Sequence, residues 1–96
     1  MTDDANAPRL ARRVRLRADP ARGGHVLLFP EGVLVLNESA AEVLALVDGA
    51  RTLRRIADEL AQRHGAPDPS VVLDDVRALL ERLGARGFVE GVGAAP

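Results

Sequence analysis

The chain has no cysteine, no lysine, no tyrosine and no tryptophan. Without cysteine there are no disulfides, no thiolate metal sites and no cysteine nucleophile. That composition suits a reducing, cytoplasmic setting. The only aromatic residues are Phe29 and Phe88. Two rings are too few for a surface that stacks bases or sugars. No apolar run approaches the roughly 20 residues that span a bilayer. The first residues, MTDDANAP, are acidic and polar, unlike a secretory signal. The expectation is a cytoplasmic protein that does not enter the membrane.

What is present is a short apolar chain with uneven charge. Ninety-six residues make one domain, and 47% apolar content is enough to fold it. All thirteen cations are arginine, against fourteen acidic residues, for a net charge of −1. Six of these arginines fall in residues 1–22, with only three aspartates. A GC-rich genome accounts for arginine in place of lysine. The functional alternative is that planar guanidinium forks pair carboxylates of an acidic partner.

The stretch His25–Gly49, HVLLFPEGVLVLNESAAEVLALVDG, organises the rest. Two runs too short for helices, Val26–Phe29 and Val33–Leu36, flank Pro30-Glu31-Gly32. Such runs around a Pro-x-Gly punctuator predict a tight hairpin. The period then becomes helical at Ala40, Val43, Leu44 and Val47. Asn37 or Ser39 is the expected N-cap, and Asp48-Gly49 the expected helix end.

Before the hairpin, Val14, Leu16 and Ala18 alternate with Arg13, Arg15 and Arg17. That pattern predicts a half-buried strand with a cationic outer face, which also blunts edge aggregation. After the first helix, Thr52 caps a second whose buried stripe is Leu53, Ile56, Ala57 and Leu60; Gly65 stops it. Asp68 and Pro69 open a third, with a core stripe of Val72, Val76, Leu79, Leu80 and Leu83 ended by Gly84. Phe88–Glu90 reads as a short closing strand. The fold class is therefore α+β: a three-stranded antiparallel sheet followed by a three-helix bundle, like a winged helix-turn-helix. Residues 1–8 are expected to be disordered, 9–90 to form the domain and 91–96 a flexible tail.

The hairpin strands do not alternate. Both are apolar at successive positions, whereas a strand with one wet face carries polar residues at every second one. Helices cover one face; the other face or the edge is left for a partner or a second copy.

No catalytic constellation is visible. His25 and His64 have no second ligand at metal spacing. Ser39 and Ser70 stand at helix starts, where capping explains them. Adjacent carboxylates such as Asp74-Asp75 diverge by about 100° on a helix. No cofactor is expected. A winged-helix DNA-binding regulator is an alternative. Asp58 and Glu59 interrupt the arginines of the second helix, however, and the net charge offers phosphates little.

One further pattern is carried by Arg15-Leu16, Leu28, Pro30-Glu31-Gly32, Leu36-Asn37, Ala41, Leu44, Asp48-Gly49, Thr52, Ile56, Leu60, Asp75-Val76 and Leu80. In this order, across about residues 9–90, it resembles the PqqD family of pyrroloquinoline quinone biosynthesis, recognition elements for ribosomal precursor peptides. The resemblance implies a non-catalytic carrier. A PqqA-type precursor peptide would pair with the third strand, at Val33, Leu34, Val35 and Leu36. It would lie in a groove beside the third helix, at Val72, Asp75, Val76, Leu79 and Arg82. Of these, Asp75 and Arg82 are the stronger groove candidates, because Val72, Val76 and Leu79 also fit the core stripe. The resemblance further implies presentation to a PqqE-type radical-SAM enzyme, which would hold the iron-sulfur chemistry. Recognition of a peptide for another modifying enzyme is a second alternative. The chain is expected to be a monomer or a homodimer through its apolar strands, with no nucleic acid and no membrane partner.

Overall fold

A computed structural model describes residues 6–92. Its elements are β1 (Arg9–Leu10), β2 (Arg15–Ala18), β3 (His25–Phe29), β4 (Gly32–Leu36), α1 (Glu38–Ala45), α2 (Leu53–His64), α3 (Pro69–Ala85) and β5 (Val89–Glu90). The antiparallel sheet β2-β3-β4 leads into three helices, as the patterning predicts. No helix among the described residues is long and apolar enough to cross a membrane.

The arginine-rich segment is not one strand from Arg13. Arg13 has φ 68°, and a turn closed by the Val14 N–H on the Ala11 carbonyl (3.1 Å) breaks the extended run. Val14 is buried before β2 begins. The short strand β1 instead crosses to β5, pairing Arg9 with Glu90 and Leu10 with Val89. An Arg9–Glu90 ion pair at 3.0 Å reinforces this second, two-stranded sheet.

Two residues within the segment expected to be disordered are held in place. Pro8 is fully buried, its carbonyl accepts the Gly49 N–H (2.9 Å), and Asn6 accepts the Leu53 N–H (3.0 Å). At the other end, Val92 is buried. Residues 1–5 and 93–96 lie outside the described part.

Helix α1 ends earlier than the Asp48-Gly49 pair suggests. Its last residue is Ala45, and Val47 is buried from the linker rather than from the helix. Asp48 caps the linker: Oδ1 accepts from Ala50 and Arg51 N–H (both 2.9 Å) and Oδ2 from the Arg51 guanidinium (2.7 Å). These donors hold the Asp48 carboxyl below its ordinary value, the Arg51 backbone N–H most of all. Gly49 follows at φ +79°, which a side chain would disfavour.

Gly65 ends α2 at φ 63°, as expected. Gly84 does not end α3; it lies within it. The stop is three residues on, at Gly87 (φ +84°). There the N–H of Phe88 reaches the Leu83 carbonyl (2.9 Å) and that of Gly87 the Gly84 carbonyl (3.0 Å), a Schellman end. The buried face of α3 is Leu73, Val76, Leu80 and Leu83. Together with Leu27, Leu44, Leu53 and Ile56 it makes one core, onto which the inner face of the sheet packs.

Candidate functional site

The order β2-β3-β4 leaves β4 at the edge of its sheet. Its polar groups can be assigned direction from the register. Phe29 pairs with Gly32 across the two-residue turn Pro30-Glu31, which makes them a hydrogen-bonded pair. Such pairs alternate, so Gly32, Leu34 and Leu36 address β3. The N–H and C=O groups of Val33 and Val35 point away from the sheet. The other side of β3 agrees in phase. Asp19 N–H bonds the Gly24 carbonyl (2.9 Å), continuing the pairs Arg17↔Val26 and Arg15↔Leu28 toward β2.

Side chains alternate in the perpendicular sense. Leu34 and Leu36 turn inward and are partly buried against the core. Val33 and Val35 stand on the outer face, 57% and 59% exposed. The four strand residues named from the sequence thus divide into two inward and two outward positions.

Beyond Leu36 the chain bends at Asn37 into α1. The Asn37 Oδ1 accepts the Ala40 N–H at 2.7 Å, fixing the strand-to-helix angle. Asn37 is also on the wall of a concavity of about 550 Å³ between α1 and α3. All five third-helix residues named from the sequence line it: Val72, Asp75, Val76, Leu79 and Arg82. The β4 residues do not line it; their edge runs out at its rim.

The uncertain division of α3 between core and groove resolves by its two stripes. Leu73, not Val72, is the buried residue of the first turn. Val72 and Leu79 are partly buried beside the core and open to the concavity, and Val76 serves both faces. Asp75 and Arg82 are exposed on the same stripe, seven residues or about 10.5 Å apart. Neither forms an ion pair among the described residues.

Sequence reasoning missed the opposite wall. Glu42 of α1 and His64 at the end of α2 both line the concavity and meet at 2.8 Å (Oε1···Nε2). His64 carried no period of its own, and a residue 22 positions away offers no local signal of pairing. Arg63 of α2 also approaches Glu42, at 3.9 Å. Arg51 and Arg55 converge on Glu59 Oε2 at 2.9 and 2.8 Å, which holds the Glu59 carboxyl below its ordinary value, with Arg51 the larger cause. Among the described residues no three His, Asp or Glu side chains are grouped as metal ligands.

Comparison with known proteins places this geometry in context. A family model described as coenzyme PQQ synthesis protein D (PqqD) matches residues 24–89. A protein of Stutzerimonas stutzeri named PqqA binding protein is 42% identical over 83 residues, covering 86% of this chain and 88% of that protein. A bifunctional coenzyme PQQ synthesis protein C/D of Methylorubrum extorquens is 42% identical over 86 residues. The match takes in 90% of this chain but only 23% of that longer protein. The solution structure of a PqqD truncation from Methylobacterium extorquens PqqCD, described as a functional, stand-alone recognition element for ribosomally synthesised, modified peptides, superposes with a TM-score of 0.75. It is 43% identical, covering 86% of this chain and 87% of that one.

Proposed function

The chain belongs to the PqqD family, and from that premise we propose that it is a non-catalytic carrier of a PqqA-type ribosomal precursor peptide. The observation that carries the reading is the free edge of β4. Val33 and Val35 offer two N–H donors and two C=O acceptors in the spacing of a strand. An extended peptide satisfies them by adding as a fourth strand. Its inward side chains then meet Leu34 and Leu36 and continue toward Val72, Val76 and Leu79 on α3. Backbone bonds supply register and general affinity; the apolar stripe and the charges of Asp75 and Arg82 supply selectivity.

The residues of the groove suit carriage rather than catalysis. The histidine of the groove is bonded to Glu42, and Ser39, which also lines it, stands in the first turn of α1 with no hydrogen bond to that histidine among the described residues. The chemistry on the peptide then belongs to a partner, and a radical-SAM enzyme of the PqqE type is the partner this reading assigns. The C/D fusion of a relative fits a domain that works beside other enzymes of one pathway.

Titration of ¹⁵N-labelled protein with a synthetic PqqA-type peptide tests the reading. The amides of Val33 and Val35 are expected to shift and to gain protection from hydrogen exchange. Shifts confined to β1, β5 and the outer surface of α2 would contradict it.

A further inference from the structure

The outer face of the sheet is unusual in what covers it. Two cross-strand rows run over it, Arg17-Val26-Val35 and Arg15-Leu28-Val33. Val26 and Val35 are the same residue type on the same face, directly opposed. Val26, with a cross-strand neighbour on each side, is 7% exposed; Val35, with one only, is 59% exposed. In the other row exposure climbs from 37% at Leu28 to 57% at Val33. Both rows are closed toward β2 and open toward the edge of β4.

From this we propose that the bound peptide is read on both faces, with Val33 and Val35 forming a second subsite for aliphatic side chains. The proposal rests on strand addition as described above. Residues of an added strand that stand opposite Val33 and Val35 share their face, as all cross-strand neighbours do. They occupy positions i and i+2, about 6.8 Å apart. An aliphatic or β-branched residue at each completes the row and gives Val35 the environment that Val26 already has. The peptide segment is then a continuous apolar run of three or more residues, alternately directed to the groove and to the outer face. A segment alternating apolar and polar leaves the two valines in water.

The arginines of the rows take no part in this contact. Arg15 and Arg17 lie on β2, three strand spacings from the added strand, or about 14 Å. A side chain on the peptide does not reach them, so no acidic residue is required at the outward positions.

A serine scan of a synthetic PqqA-type peptide, read by fluorescence anisotropy, tests the proposal together with Val33→Thr and Val35→Thr. Threonine keeps the β-branched shape, and both sites are exposed, so the melting temperature holds. Cross-strand pairs of this kind predict an affinity loss of about threefold for each single change and about tenfold for the pair. The peptide scan is expected to show losses at consecutive positions. NOEs from the Val33 and Val35 methyl groups to peptide side chains would be the direct signature. Losses at every second peptide position, with both threonine variants binding like the parent, would overturn two-faced reading and leave strand addition standing. A scan with no loss at any position, and no shift at the amides of β4, would overturn both.

Discussion

Phe29 and Phe88, the only two aromatic residues of the chain, meet with ring centroids 4.8 Å apart and planes tilted by 54°. One ends β3 beside the hairpin turn; the other follows the Schellman end of α3. Arg86 covers the Phe88 ring at 4.9 Å. The contact ties the base of the candidate edge strand to the far end of the helix that lines the groove.

Phe88→Ala is therefore expected to cost about 3–5 kcal/mol, the range for a buried ring. The chain is small, so this is a large share of its stability. Thermal unfolding measures it. Amide exchange of β4 is expected to accelerate along with the global loss, because the turn loses its anchor. A variant that melts like the parent would show that the aromatic pair is not structural.

How much of this was legible in the sequence differs by element. The hairpin and the helix caps at Thr52 and Asp68 followed from turn chemistry and period. The core face of α3 did not. Val71, Val72 and Leu73 are consecutive and all apolar, so a wide apolar arc fits two stripes 100° apart. The packing of α3 on α2 decides that Leu73 is covered, while Val72 is left facing the groove. The pairing of β1 with β5 was invisible for another reason: two-residue strands have no period, and Arg9 and Glu90 lie at opposite ends of the chain. Asp75 and Arg82 were named through the family resemblance and preferred there because charges fit a core stripe poorly; both line the concavity.

Charge in the groove gives a second prediction. Asp75→Arg and Arg82→Glu are expected to weaken binding of a PqqA-type peptide severalfold without moving the melting temperature, since both side chains are exposed and form no ion pair among the described residues. The effect should shrink as salt rises toward 1 M, where screening acts within about 3 Å. Calorimetric titration at two salt concentrations checks this. Unchanged affinity for both variants would remove these charges from the recognition surface.

Acid stability gives a third. Asp48, Glu59 and Asp68 are each held below their ordinary values, 3.8, 4.5 and 3.8, by hydrogen bonds that favour the carboxylate. A carboxyl whose folded value is depressed stabilises the fold above its unfolded value and loses that contribution as pH falls through the folded one. The melting temperature is expected to decline as pH drops from about 5 to about 3. Glu59→Gln should melt below the parent at neutral pH and approach it at the acid end. A gap between the two that is constant with pH would contradict the assignment.

Self-association gives a fourth. Without peptide, the open edge and the exposed Leu28, Val33 and Val35 favour pairing of β4 between two copies. Sedimentation at rising concentration is expected to show a reversible dimer that a PqqA-type peptide dissolves. A monomer at every concentration, or a dimer indifferent to peptide, would contradict edge-to-edge pairing.

The most direct measurement is a proline scan of β4 read by melting and by peptide affinity. Proline cannot donate to a ladder. At Leu34 the lost N–H addresses β3, so Leu34→Pro is expected to unfold the domain. At Val33 and Val35 the lost N–H points outward, so both variants are expected to fold. Each forfeits one intermolecular bond of about 1 kcal/mol, and the unpaired peptide carbonyl and the ring add to that. The account predicts an affinity loss of about tenfold at Val33 and Val35 with nearly parental melting. Folded Val33→Pro and Val35→Pro variants that bind the precursor peptide as the parent does would contradict strand addition.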